Sequence, residues 1–175
     1  AGFFQSLGYE VVATDFSEEA LRMAKRNFKG VEFINLDTTH GLPFKNNSFD
    51  VVYSHMSLHY FDAQTTRKIF KDIHRILKTN GIFAIIANTI DDPEKDTKDF
   101  LELENGFYKN TNKNILKRYF SIQSMEEFIH SLFNILLLDN KGEVIYKIKL
   151  KTLIRFIGRK GLAQEPFLRK SRCLV

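Results

Sequence analysis

The chain has 175 residues, 43% hydrophobic and 27% charged, a length and balance that suit one folded domain with a real core. No run of about 18 apolar residues offers a membrane span, the opening AGFFQSLGYE reads unlike a signal peptide, and the single cysteine, Cys173, excludes an internal disulfide framework and a CxxC zinc site. A reducing, cytoplasmic setting is therefore expected. Net charge is +5, but ten of the 26 basic residues fall in 141–175 against two of the 21 acids, so the rest of the chain is mildly acidic.

Over the first 90 residues, short apolar strands alternate with amphipathic helices. Tyr9–Asp15 (YEVVATD) reads as a buried strand ending in an acid. Ser17 offers a helix N-cap, with Glu18 and Glu19 in the first turn where the macrodipole favours anions. Leu21, Ala24 and Phe28 follow at helical spacing, and Gly30 closes the element. Val31–Leu36 is a second strand, followed by Asp37. The stretch 41–48 is rich in turn formers and reads as a loop. Phe49–Ser54 is the third strand, and a helix starts at Asp62 or Ala63 with Ile69, Phe70, Ile73, Ile76 and Leu77 on one face. Thr79-Asn80-Gly81 is expected to stop that helix, with Gly81–Ala87 as the fourth strand. Such alternation implies parallel strands, right-handed crossovers and helices on both faces.

From Asp91 the pattern breaks. Residues 91–121 are polar with scattered aromatics and read as an insertion or lid. Ser124–Phe133 is a predicted helix capped by Ser124, and Ile135–Leu138 and Tyr146–Ile157 are predicted strands. In the latter, Lys147, Lys149 and Lys151 alternate with apolar residues, as on a half-buried antiparallel strand with a solvated outer face. The division expected is a domain over 1–160 and a tail over 161–175, which has no clear period.

In an open parallel sheet, ligands bind beyond the carboxyl ends of the strands. Asp15 lies at one such end, and a carboxylate there can accept hydrogen bonds from both hydroxyls of a ribose. It could also cap the next helix, but Ser17 is already available for that. Asp37 could accept the exocyclic amine of an adenine, with Thr38 adding a neighbouring bond, or it could be a plain turn residue before Gly41; the residues leave both open. His59 lies just past the third predicted strand and could act as a general base or simply pack. His55 and His59 are four apart, but no Glu stands at the HExxH position and no third ligand is evident, so no metal site is expected.

The runs GYEVVATDFSEEAL, NLDTTHGLPFKNNSFDVVYSHMSLHYF and IHRILKTNGIFAI, in that order and spacing over about residues 7–90, resemble a class I S-adenosylmethionine-dependent methyltransferase. The resemblance implies an α/β, Rossmann-like three-layer sandwich: a mostly parallel seven-stranded sheet with an antiparallel C-terminal hairpin, and S-adenosylmethionine at the strand carboxyl ends. It carries the family's ribose-binding acid onto Asp15, an adenine neighbour onto Phe16, the adenine-contacting acid onto Asp37, and the segment near the methionine moiety onto Ser54, His55 and Met56. The family's first strand and its GxGxG loop have no counterpart, and Ala1–Leu7 looks like the second half of the helix that follows that loop. The expectation is therefore a chain lacking the central strand of the sheet, one that by itself could be inactive. The function implied is methyl transfer to a small-molecule acceptor, with no membrane and no nucleic acid as partner. Two rivals remain: an NAD(P)-dependent oxidoreductase, and a non-catalytic subunit that binds nucleic acid or protein through its basic last 35 residues.

Overall fold

The computed structural model describes residues 1–146, 149–161 and 172–174. Its main sheet has seven strands in the order β2-β1-β10-β3-β4-β9-β8: β1 Glu10–Asp15, β2 Glu32–Asn35, β3 Phe49–His55, β4 Leu77–Asn88, β8 Asn134–Tyr146, β9 Lys149–Arg159 and β10 Arg172–Leu174. The strands from β2 to β4 pair in parallel, and β9 runs antiparallel to β4 and β8. The expected class, three layers around a mostly parallel sheet with an antiparallel hairpin, is the one observed. Among the described residues, no helix is long and apolar enough to cross a membrane.

The layers follow from strand alternation. Val12, Val52, Phe83, Ile85, Ile154 and Phe156 point to one face, where they join Ile69, Phe70, Ile73 and Ile76 of α3 (Ala63–Ile76) and Met125, Phe128 and Ile129 of α4 (Ile122–Ile129) in the core. Tyr53, one residue on from Val52, faces the opposite side and meets Phe4 of α1 (Gly2–Ser6) at a ring separation of 5.3 Å. On that side α2 (Glu18–Asn27) buries Leu21, and Gln5 of α1 donates to the Lys29 carbonyl just beyond α2.

Local chemistry sets the helix starts. Ser17 accepts from the Ala20 amide at the head of α2, and Asp62 from the Thr65 amide at the head of α3. The start of α4 differs from expectation. Ser121 is the cap and Ser124 its reciprocal partner three residues on, so the two serines share a capping box and the helix begins earlier. The fourth strand also starts earlier, at Leu77, because the chain turns extended immediately after α3. Gly81 lets this strand pass close to β3: a Cβ there would lie 2.8 Å from the Lys78 carbonyl oxygen and 3.2 Å from that of Asp50.

The expected insertion is a small sheet of its own. β5 (Phe100–Glu104), β6 (Phe107–Asn110) and β7 (Ile115–Arg118) form an antiparallel meander. Its first turn is Asn105-Gly106, with Gly106 at φ 72°. That dipeptide is the hairpin signal the sequence carried and the polar composition obscured.

Two expectations about the C-terminal part need correction. The hairpin is longer than expected: β8 and β9 pair from Asn134–Arg159 out to Tyr146–Lys149, so 139–145, between the two predicted strands, belong to β8. Its lysines do not all line a solvated face either, since the Lys151 ammonium is largely buried against Asp92 at 2.7 Å and Glu94 at 3.2 Å. Lys147 lies outside the described residues. The central position expected to be vacant is filled by β10, from the segment whose sequence has no period.

Candidate functional site

At the carboxyl ends of β1, β2 and β3 lies a cavity of about 620 Å³, within the range of small-molecule and cofactor sites. Of the residues singled out in the sequence, Asp15, Phe16, Asp37, Thr38 and Ser54 line it together, as does Met56. His55 and His59 are absent from the wall. Strand alternation turns His55 to the other face, where its ring stacks on Tyr53, while Ser54 points in and shares a 2.8 Å hydrogen bond with the Ser57 hydroxyl. The remaining wall is mostly apolar, including Leu36, Leu42, Leu58 and Phe61, and Leu174 of β10 joins it.

Each polar group is held by its own turn. Asp15 ends β1, and its Oδ1 accepts the Ser17 amide at 2.8 Å; its Oδ2 has no protein donor among the described residues. Asp37 caps a 3-10 turn over Thr38–His40, its Oδ1 accepting both the Thr39 amide at 2.9 Å and the Thr39 hydroxyl at 2.7 Å. Those two bonds, the hydroxyl first, hold its carboxyl below the usual carboxylate range, so it is ionised at neutral pH. Phe16 leaves 74% of its surface exposed at the rim, a large apolar ring open to solvent. Met56 takes φ 55°, unusual for a side chain of this size, and its amide is anchored on the Ile86 carbonyl at 2.9 Å.

His59 is placed differently from the expectation that substrate would meet it. It is 1% exposed, sits under the Tyr60 ring at 4.2 Å, and its Nδ1 has no hydrogen-bond partner among the described residues. Burial above all, and then the ammonium groups of Lys117 and Lys151, push its pKa down to about 3, so the imidazole is neutral at physiological pH. Nearby, Glu94 gathers Lys117 at 2.9 Å, Lys151 at 3.2 Å and the Tyr119 hydroxyl at 3.4 Å, tying the small sheet to β9.

The cavity thus offers acceptors at two corners, an uncovered aromatic ring at its rim, hydroxyls at its inner end and apolar walls between. That set fits a nucleoside: two ribose hydroxyls and an exocyclic amine are donors, and a purine is a flat face. The residues missed in the sequence are chiefly the apolar ones. Leu36, Leu42 and Leu58 carried no chemical mark, and Leu174 sits in a segment without periodicity.

Known proteins resemble this chain in part of its sequence and in its fold. Residues 1–85 match the family model described as a methyltransferase domain. An uncharacterized methyltransferase of Synechocystis sp. is 34% identical over 79 residues, covering 45% of this chain and 37% of that protein. A demethylmenaquinone methyltransferase of Clavibacter sepedonicus is 38% identical over 81 residues, covering 45% and 32%. The chain spans about a third of the length of these relatives. Among solved structures, the 1,6-didemethyltoxoflavin-N1-methyltransferase of Burkholderia thailandensis, with its bound substrate and S-adenosylhomocysteine, is similar over 91% of this chain and 65% of its own, at 20% identity and a TM-score of 0.68. An S-adenosylmethionine-dependent methyltransferase of Methanosarcina mazei is similar over 92% of this chain and 86% of its own, at 17% identity and a TM-score of 0.71. The fold is theirs, and residues 1–85 carry the match to the methyltransferase domain.

Proposed function

We propose that this chain acts as a class I methyltransferase, binding S-adenosylmethionine in the 620 Å³ cavity and directing its methyl group to a small-molecule acceptor. One observation carries the reading: strands far apart in sequence bring Asp15, Phe16, Asp37, Thr38 and Ser54 to a single wall. In this reading Asp15 accepts the ribose hydroxyls, Phe16 stacks on the adenine, and Asp37 with Thr38 reads the exocyclic amine. Ser54 and Ser57 face the amino-acid end.

The cofactor, when bound, supplies a sulfonium methyl already activated for transfer. The protein's share is then alignment and exclusion of water. Leu42, Leu58 and Phe61 provide dry walls, and the strained turn at Met56 fixes the loop that leads from β3 toward Tyr60. We assign His59 to packing beneath Tyr60 and not to proton transfer, because a buried imidazole held neutral down to about pH 3 is a weak base. A small acceptor is favoured because the exposed rings of Phe16 and Tyr60 frame an opening suited to a compact, flat molecule. The relatives whose names give a substrate act on demethylmenaquinone and on 1,6-didemethyltoxoflavin.

The test is calorimetric titration with S-adenosylhomocysteine and with NADH, followed by transfer of labelled methyl to a panel of quinols and aromatic heterocycles. Binding of the first ligand alone, with label in one acceptor class, is the expected outcome. NADH binding without S-adenosylhomocysteine binding overturns the reading.

A further inference from the structure

Asn88 ends β4 with its side chain wholly buried, and neither its Nδ2 nor its Oδ1 has a hydrogen-bond partner among the described residues. Buried carboxamides are nearly always paired, because an unmet one bears the full cost of leaving water. A second unmet atom lies close by. The Arg118 amide donates to the His59 carbonyl at 2.7 Å, and the Phe120 amide, two residues on, donates to the Asn88 carbonyl at 2.9 Å. One run of backbone therefore spans both residues, and the His59 Nδ1 is likewise without a partner among the described residues.

The charges around them are already matched. Glu94 holds Lys117 and Lys151, Lys151 also holds Asp92, and Arg118 holds Glu104. What remains unmet is neutral: an amide group that donates, an amide oxygen that accepts, and an imidazole nitrogen. The place adjoins the cofactor cavity. Met56 lines that cavity, and its amide donates to the carbonyl of Ile86, two residues before Asn88 on the same strand. The Tyr60 ring lines the cavity too and lies over His59 at 4.2 Å, so it stands between the two, and it is 43% exposed.

We infer that Asn88 and the Nδ1 of His59 form the polar floor of the acceptor site, and that the acceptor carries a lactam, an N–H beside a C=O on one flat ring. A carboxamide is planar, with donor and acceptor side by side, and a lactam edge presents the complementary pair in one plane. Asn88 then makes two parallel bonds, and His59 adds a third to a ring heteroatom. A charged acceptor finds no counter-ion left to meet it, and a hydrocarbon face leaves the carboxamide unmet. Entry requires the Tyr60 ring to swing aside, a rotation open to a half-exposed side chain. The inference rests on the methyl-transfer reading for the ligand's role, and on Asn88 and His59 alone for its binding.

The test is calorimetric titration of the full chain, saturated with S-adenosylhomocysteine, against carbostyril (the lactam of quinoline), N-methylcarbostyril and quinoline. The second probe has lost the lactam donor, and the third has lost the whole edge. Carbostyril should bind at least tenfold tighter than either. Asn88→Leu should bring the three within twofold of one another with S-adenosylhomocysteine affinity unchanged. It should also raise the melting temperature, because it removes an unmet polar group from the interior. Asn88→Ala should lose the preference as well, and it stands in if leucine does not fit. Equal binding of the three probes by the unaltered chain overturns the inference and leaves the cofactor reading intact. A preference that survives in either variant also overturns it and assigns Asn88 to the fold alone. If S-adenosylhomocysteine itself does not bind, the cofactor reading falls, and the same probe series run without it still decides the lactam site.

Discussion

The Asp15 carboxylate accepts the Ser17 amide at 2.8 Å, while the Ser17 hydroxyl accepts the Ala20 amide at 3.2 Å. The two residues thus divide the turn between them. Ser17 caps the helix, and Asp15 braces the loop with one oxygen while its side chain lines the cavity.

This division makes a paired prediction. Hydrogen bonds to a charged acceptor contribute about 1.5–3 kcal/mol each, so Asp15→Ala should weaken S-adenosylhomocysteine binding roughly ten- to a hundredfold, and Asp15→Asn less. Ser17→Ala should cost about 1 kcal/mol of stability and leave affinity nearly unchanged. Titration calorimetry and urea melts on the three variants separate the roles; loss of stability without loss of affinity in Asp15→Ala would reassign Asp15 to the turn alone.

Arg118 is the bolt of the small sheet. It is 3% exposed, and it donates to the Phe61 carbonyl at 3.0 Å, to the Asn105 carbonyl at 3.2 Å and to Glu104, with its guanidinium over the rings of Phe107 and Phe128. Arg118→Ala would strand those acceptors in a buried place and should cost about 3 kcal/mol. Arg118→Lys should recover little, since an ammonium cannot span a planar fork. Urea denaturation gives the loss, and hydrogen exchange across 100–118 gives its location.

His59 makes stability depend on pH with a defined sign. Its folded pKa of about 3 lies below the ordinary value of 6.5, so the folded state binds fewer protons than the unfolded one. The stability is fully present above pH 6.5 and is lost as pH falls from there toward 3, at about 1.4 kcal/mol per unit. Between pH 6.5 and 5 this group alone should remove about 2 kcal/mol. His59→Leu should flatten that part of the profile. An identical slope in protein and variant would show that other groups carry it.

Glu94 should matter to the insertion more than to the cofactor cavity, whose wall it does not join. Glu94→Gln leaves Lys117 without its carboxylate and Lys151 with Asp92 alone. The partial exposure of Glu94 limits the cost to about 1–2 kcal/mol. The expected result is faster amide exchange in β7 with S-adenosylhomocysteine affinity unchanged.

By itself the sequence determined the layered scaffold and the polar corners of the cavity. Buried parallel strands need continuous apolar and β-branched runs such as Val11-Val12-Ala13, and α3 needs isoleucines and Phe70 at helical spacing; both signals are local. Asp15, Asp37 and Ser54 were legible because each ends a strand, and strand ends in such a sheet converge. The tertiary structure alone decided what depends on distant partners. Nothing in Arg172-Cys173-Leu174 marks a central strand, since its pairing with Val11 and Val51 is formed across nearly the whole chain. The same holds for the burial of His59, which results from the three-stranded insertion packing against β9, and for Lys151, whose alternation looked solvated until Asp92 and Glu94 were folded over it.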